Sequence, residues 1–343
     1  MNIRAWLNTL STTTHTLPIV ILYVTEGCNL KCRMCSYRNP LPNELTLSEI
    51  ETLAQTLHEY GLRHIVYSGG EPLMRSDFPL ICKTFGRFPV KQTVLTNGLL
   101  LEKRLEDIHS TLTEIVVSLD GATAEVHNAI RGVDSFDRIL EGIRKAVSLS
   151  GEHSVSIRCV IQKQNFRELG AIVNLARKLH VHRISFLAVD VLSDSFGRTG
   201  AGALIPNDLI MLDAKETAMF REFVEQVIVE HAHDFESRFI SESPEKLRHL
   251  ANYFGALNGM NDFPRNMCNA PMVSAVITSS GDVQPCFFLP AFGNIRERRL
   301  DEVMNSPEAK FTREQVEKYS LDRCKTCVCT LYTRPQNALR NRF

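Results

Sequence analysis

Six short apolar runs recur along the first part of the chain: Ile19-Val20-Ile21-Leu22-Tyr23-Val24, then 64–67, 91–96, 114–119, 155–161 and 183–189. Runs of this length, bounded by polar or glycine-containing stretches, predict buried strands. Between them the apolar positions change to helical spacing. Thr46-Leu47-Ser48-Glu49 reads as a capping box. Ile50, Leu53, Ala54 and Leu57 follow at intervals of three and four, and Gly61 ends the helix. Further helices are expected through Phe78-Pro79-Leu80-Ile81, near Lys103 to Ser110, over Phe136 to Leu149, and from an Asn165 cap to Leu179. Six strands alternate with five intervening helices. That alternation predicts parallel strands joined by right-handed crossovers.

After Asp190 the pattern changes. Residues 190–198 form a polar loop of no clean period. A long helical stretch follows, with Leu209, Leu212, Met219, Phe220, Phe223, Val227 and Ile228 on an apolar face, then a helix over Pro244 to Leu257. A strand–turn–strand is expected at Val273 to Ile277, Ser279-Ser280-Gly281-Asp282 and Val283 to Cys286. Short helices are expected at Leu300 to Met304 and Ala309 to Tyr319. At the start, Met1 to Leu10 predicts an amphipathic helix with Ile3, Trp6, Leu7 and Leu10 facing inward. The expected modules are 1–205, bridging helices over 206–260, and 261–343.

Composition narrows the class. The chain has 343 residues, 44% hydrophobic and 23% charged, as in an ordinary globular protein. Lys+Arg and Asp+Glu both number 39, so no excess of positive charge calls for a nucleic-acid partner. No apolar stretch reaches the roughly 20 residues that span a bilayer, and the N-terminus lacks a signal-type apolar core. Ten cysteines in such a chain point to metal ligation in a reducing, cytoplasmic setting rather than to disulfides.

The chemistry starts in the loop after the first strand, Thr25-Glu26-Gly27-Cys28-Asn29-Leu30-Lys31-Cys32-Arg33-Met34-Cys35. Three thiolates cannot complete a tetrahedral zinc site, and they leave one over in any disulfide scheme. They can hold three irons of a [4Fe–4S] cube, leaving the fourth open to an external ligand. The amino and carboxylate groups of S-adenosylmethionine (SAM) can chelate such an iron. Here the sequence resembles the radical SAM superfamily. Ser68-Gly69-Gly70-Glu71-Pro72 matches its Gly-Gly-Glu loop. Thr96-Asn97-Gly98 and Ser118-Leu119-Asp120-Gly121 follow the third and fourth strands in the family's order.

That resemblance implies a (β/α)6 partial TIM barrel. It implies a [4Fe–4S] cluster on Cys28, Cys32 and Cys35, with SAM on its open iron. Gly69, Gly70 and Glu71 would meet the SAM ammonium. Ser118 and Asp120 would meet its ribose or carboxylate region, and Arg131 and Arg158 a carboxylate. Met34 stands where the family usually has an aromatic residue against adenine. Cys268, a Gly-x4-Cys at Gly281 and Cys286, and Cys324-x2-Cys327 with Cys329 resemble the SPASM/twitch extension, a small α+β iron–sulfur domain. One auxiliary [4Fe–4S] cluster is expected on Cys268, Cys286 and Cys324, with Cys327 or Cys329 as fourth ligand. A structural zinc on the same thiolates is the alternative. Cys82 and Cys159 fall in helix and strand patterns and are expected to be ordinary buried thiols.

The implied activity is reductive cleavage of SAM to a 5′-deoxyadenosyl radical, followed by hydrogen abstraction from an unactivated C–H bond. The electron would come from a donor such as flavodoxin or ferredoxin. An auxiliary cluster suits a net oxidation. Eighteen residues precede the first strand, too few for the N-terminal recognition domain that peptide-modifying relatives often carry. A small molecule or cofactor precursor is therefore the expected substrate, with a lean to a tetrapyrrole ring methyl. Phe186, Phe196, Phe287, Phe288 and Phe292 are candidates to line an apolar substrate space. The alternatives are a maturase of ribosomal peptides and, from another class, a non-catalytic iron–sulfur carrier or scaffold.

Overall fold

A computed structural model describes residues 3–149, 151, 153–198 and 207–340. The six expected strands form: β1 (Ile19–Thr25), β2 (His64–Gly69), β3 (Lys91–Thr96), β4 (Glu114–Ser118), β5 (Ser154–Ile161) and β6 (Arg183–Ala188). Neighbours pair in parallel along the order β6-β5-β4-β3-β2-β1. This is the open parallel sheet of a (β/α)6 partial barrel, with its loops at the C-terminal strand ends facing one way.

The sheet does not stop at β1. β7 (Ser274–Ile277) runs parallel to β1 in the register Ile19↔Ser274 to Leu22↔Ile277. β8 (Asp282–Gln284) and β9 (Gly293–Asn294) add antiparallel strands to give nine in all. The expected C-terminal hairpin thus continues the barrel sheet. β1 reads Ile-Val-Ile-Leu, apolar on both faces, and an open edge of that kind needs a partner. β7, buried at all four positions, supplies one.

Most helices lie where their spacing placed them. Leu47–Glu59 opens on a formed capping box, with Thr46 accepting from the Glu49 N–H and Glu49 accepting from the Thr46 N–H. Phe136–Ser148 buries Ile139, Leu140, Ile143 and Ala146 against the sheet. Pro244–Leu257 forms as expected, and Ala214–Glu230 begins at an Asp213 cap. The expected domain boundary at 205–206 touches residues outside those described.

Three details differ from expectation. The first helix spans Ile3–Asn8, but Ile3 and Leu10 are 56% and 60% exposed while Asn8 is buried. Asn8 donates to the Thr16 and Met272 carbonyls and accepts from the His15 N–H, so a polar clamp rather than an apolar face seats it. Asn165 does not cap the helix after it. Its side chain accepts from the Gln162 N–H and donates to the Val160 and Asp120 carbonyls. A helix over Ala124–Arg131, capped by Thr123, stands where no helix was expected.

Candidate functional site

The three-cysteine loop leaves β1 at the C-terminal end of the sheet and is pinned from three sides. The Lys31 and Arg33 N–H groups donate to the Arg131 and Ile130 carbonyls at the end of the Ala124–Arg131 helix. Gly132 follows in the left-handed region at φ 71°, and a side chain there would overlap the Lys31 carbonyl. The Ser36 N–H donates to the Phe196 carbonyl. From below, the Gly70 and Glu71 N–H groups donate to the Thr25 and Gly27 carbonyls, both at 2.8 Å. Gly70 has no room for a Cβ, because the Gly27 carbonyl occupies that space. The close approach that Gly69 and Gly70 allow is an approach to the cysteine loop's own backbone.

Glu71 is fully buried and its oxygens are taken by the protein. Oε1 accepts from the Leu73 N–H at 3.0 Å and the Thr96 hydroxyl at 2.7 Å, and Oε2 from the Asn97 N–H at 2.7 Å. Burial pushes this carboxyl up to about 7, against the pull of those three donors. Asn97, in the loop after β3, donates its amide to Cys28 Sγ at 3.8 Å and to Asn29 Oδ1 at 2.8 Å.

Asp120 and Arg131 form a buried ion pair at 2.7 Å, with side-chain exposures of 0% and 9%. Asp120 Oδ1 also accepts from the Val160 N–H. Arg131 Nη1 donates to Cys32 Sγ at 3.7 Å. Burial works against the guanidinium, yet Asp120 and Cys32 outweigh it and hold the charge. Glu71, Asp120 and Arg131 therefore hold the loops and one thiol in place. Ser118, the last residue of β4, and Arg158, within β5, are adjacent in the β4–β5 register and both half-buried. Arg158 Nε donates to Ser185 Oγ at 3.2 Å, so it lies on the same sheet face as its β6 neighbour. Met34 packs against the core, its sulfur accepting from the Gln162 amide at 3.8 Å.

The second group of cysteines converges. Cys268, Cys286, Cys324, Cys327 and Cys329 all line one cavity of about 370 Å³, together with Ile21 of β1, Val276 of β7, Phe287, Phe288 and Arg323. Backbone N–H groups already face three of the sulfurs: Ala270 to Cys268, Phe288 to Cys286 and Cys329 to Cys327. Cys82 and Cys159 are buried in the core, away from this cavity's lining.

An aromatic cluster that spacing did not reveal joins the two cysteine groups. Tyr23 of β1 lies 6.1 Å from Tyr37 and 6.3 Å from Phe287, and Phe287 lies 6.2 Å from both Phe196 and Phe288. Cys28 and Cys35 pack on its near side. Phe186 and Phe292, expected beside these rings, belong to the core instead. Their strand and hairpin positions point them inward, which sequence period alone left undecided.

Two family matches cover these regions. Residues 22–176 match the radical SAM superfamily, and 268–328 match SPASM, an iron–sulfur cluster-binding domain. The chain carries a radical SAM domain and a SPASM domain. Among relatives, the Fe-coproporphyrin III synthase of Methanosarcina barkeri is 26% identical over 341 residues, covering 90% of this chain and 80% of that protein. The antilisterial bacteriocin subtilosin biosynthesis protein AlbA of Bacillus subtilis is 28% identical over 300 residues. That match spans 83% of this chain but only 58% of AlbA. The fold of Streptococcus suis SuiB, solved bound to precursor peptide SuiA, superposes with a TM-score of 0.64 at 20% identity, covering 93% of this chain and 73% of SuiB.

As a radical SAM protein with a SPASM domain, the chain uses a [4Fe–4S] cluster with SAM and auxiliary iron–sulfur. The donor sets fit. Burial pushes the Cys35 thiol up to about 11 and raises Cys28, so iron binding must draw off their protons. Burial likewise raises Cys286 and Cys327 to about 12. Among the described residues, no three His, Cys, Asp or Glu side chains are grouped to hold a single metal ion. Each thiolate of a cube binds its own iron, so cube ligands stand farther apart than the ligands of one ion. No helix among those described is long and apolar enough to cross a membrane.

Proposed function

We propose that this radical SAM enzyme carries out a net oxidation of a small molecule, with a tetrapyrrole as the substrate class. Relatedness to an Fe-coproporphyrin III synthase along 90% of the chain carries this reading. With iron–sulfur and SAM bound, the site supplies a 5′-deoxyadenosyl radical that takes a hydrogen atom from an unactivated C–H bond. The residues of the chain orient and exclude water. Cys28, Cys32 and Cys35 hold the cluster. Ser118, Arg158 and Met34, all half-buried, would contact SAM. Gly69, Gly70, Glu71, Asp120 and Arg131 set the loops those groups stand on. The rings of Phe196, Phe287, Phe288 and Tyr23 form an apolar wall between the two cysteine groups, suited to a flat conjugated substrate. Four of Cys268, Cys286, Cys324, Cys327 and Cys329 hold one auxiliary cube, placed to accept the electron a substrate radical must lose.

A peptide substrate is the second reading, favoured by the match to AlbA. The test uses anaerobically reconstituted protein with SAM and a one-electron reductant. Formation of 5′-deoxyadenosine that rises on adding a tetrapyrrole, with a matching mass change in the macrocycle, supports the first reading. Stimulation only by a peptide supports the second. No 5′-deoxyadenosine under any condition overturns both and leaves the non-catalytic carrier.

A further inference from the structure

Arg323 precedes Cys324 and lines the five-cysteine cavity. One end of its fork is committed: Nη2 donates to Asp190 Oδ1 at 2.6 Å. Asp190, at the end of the barrel's last parallel strand, also accepts from Arg198 at 2.5 Å. The guanidinium lies over the Phe288 ring, 4.6 Å from its centroid. The other two donor atoms, Nε and Nη1, are buried and have no partner among the described residues. Two unpaired buried donors on one charged group are costly, and folds place such groups where a ligand brings acceptors.

The cysteine loop after β1 shows the same construction with its acceptor visible. Arg131 gives Nη2 to Asp120 and Nη1 to Cys32 Sγ, and its Nε is likewise buried without a partner among the described residues. In both places a buried aspartate from the end of a barrel strand holds an arginine beside cysteine thiols.

We infer that Arg323 sets the reduction potential of the auxiliary cluster by donating its free N–H groups to cluster or thiolate sulfur. This rests on the reading of the cavity as an iron–sulfur site. A cube gains one negative charge when it takes up one electron. A fixed cation with donors aimed at the sulfurs stabilises the reduced form more than the oxidised form and raises the potential. Because Asp190 belongs to the barrel, the same contact ties this setting to the barrel's position. Arg323 is a positioning residue here, not a catalytic one.

The experiment is an anaerobic redox titration of the reconstituted full-length protein, followed by electron paramagnetic resonance with and without SAM. SAM perturbs the signal of the cluster it chelates and leaves the auxiliary signal unchanged, which separates the two. Arg323→Met removes the charge and the donors and keeps the apolar stem. Its auxiliary cluster should be harder to reduce by at least tenfold in the one-electron equilibrium, about 59 mV lower in potential. Arg323→Lys keeps the charge but loses the fork, and should fall between Met and wild type. An unchanged auxiliary potential in Arg323→Met, with about eight irons retained, overturns the inference. If the Met variant loses auxiliary iron, Arg323→Lys and Arg323→Gln decide: wild-type potentials in both overturn it, and a lower potential in Gln than in Lys supports it. Wild-type protein that takes up only about four irons would instead overturn the cavity's reading as a cluster site.

Discussion

Gly132 offers a direct test of how the cysteine loop is built. It ends the Ala124–Arg131 helix in the left-handed region, at φ 71°. A Cβ there would overlap the Lys31 carbonyl oxygen and stand 3.0 Å from Lys31 C and Cβ. Lys31 lies between Cys28 and Cys32, so the clash falls inside the ligand loop. Two costs add in Gly132→Ala. The left-handed backbone costs a non-glycine residue about 1–2 kcal/mol, and forcing atoms into filled space costs about 1–3 kcal/mol more. Gly259 isolates the first cost: its φ is 68° and nothing lies within 4 Å of its added Cβ. Gly259→Ala should lose only about 1 kcal/mol, the backbone strain less the entropy removed from the unfolded chain. Gly132→Ala should lose about 2–5 kcal/mol and also bind about four fewer irons, because the loop must shift to make room. Gly132→Asn tolerates the backbone but carries the same Cβ, so it should lose the iron as well. Chemical denaturation and iron per chain read the two effects separately. If Gly132→Asn keeps full iron, or Gly132→Ala matches Gly259→Ala in both measurements, the close approach to Lys31 is not what holds the loop.

Changing Cys28, Cys32 and Cys35 together to Ala should remove about four of about eight irons and abolish 5′-deoxyadenosine formation; retained cleavage would refute the assignment of that loop. Cys268→Ala with Cys286→Ala should remove auxiliary iron and product while 5′-deoxyadenosine remains measurable, with circular dichroism reporting loss of fold as the contrary result. Asp120→Asn strands the buried Arg131 charge and should cost about 3–5 kcal/mol in chemical denaturation; a cost under 1 kcal/mol would mean the pair is not holding the Cys32 side of the loop. His127 is buried, its Nδ1 accepting from the Asp120 N–H, and burial first and Arg131 second lower its pKa to about 3. Its neutral form is the folded one, so the stability it contributes is full above about pH 6.5 and is lost as pH falls toward 3. His127→Gln should flatten that acid limb in denaturation curves taken between pH 7 and 4; an unchanged slope would show that His127 does not titrate there.

The sequence by itself determined what depends on neighbours along the chain. Period separated the six strands from their helices, and the Thr46–Glu49 box set a helix start observed to form both its bonds. The cysteine loop, the Gly-Gly-Glu loop and the strand-end motifs were legible because each sits within a few residues of the strand that carries it. Only the tertiary structure decided what joins distant segments. Nothing local in Ser274–Ile277 says that it pairs with β1, some 250 residues earlier, rather than starting a separate sheet. Motif spacing pointed to Glu71, Asp120 and Arg131; the bonds from Asn97 to Glu71 and from Arg131 to Asp120 are made between separate segments and only packing sets them. The five late cysteines were countable, but their single cavity was not. Nor was Arg323, whose partner Asp190 lies 133 positions away. Periodicity and caps are set by short-range sterics and hydrogen bonds. Partners across the fold are set by burial, which satisfies each polar group with whatever the completed packing brings within reach.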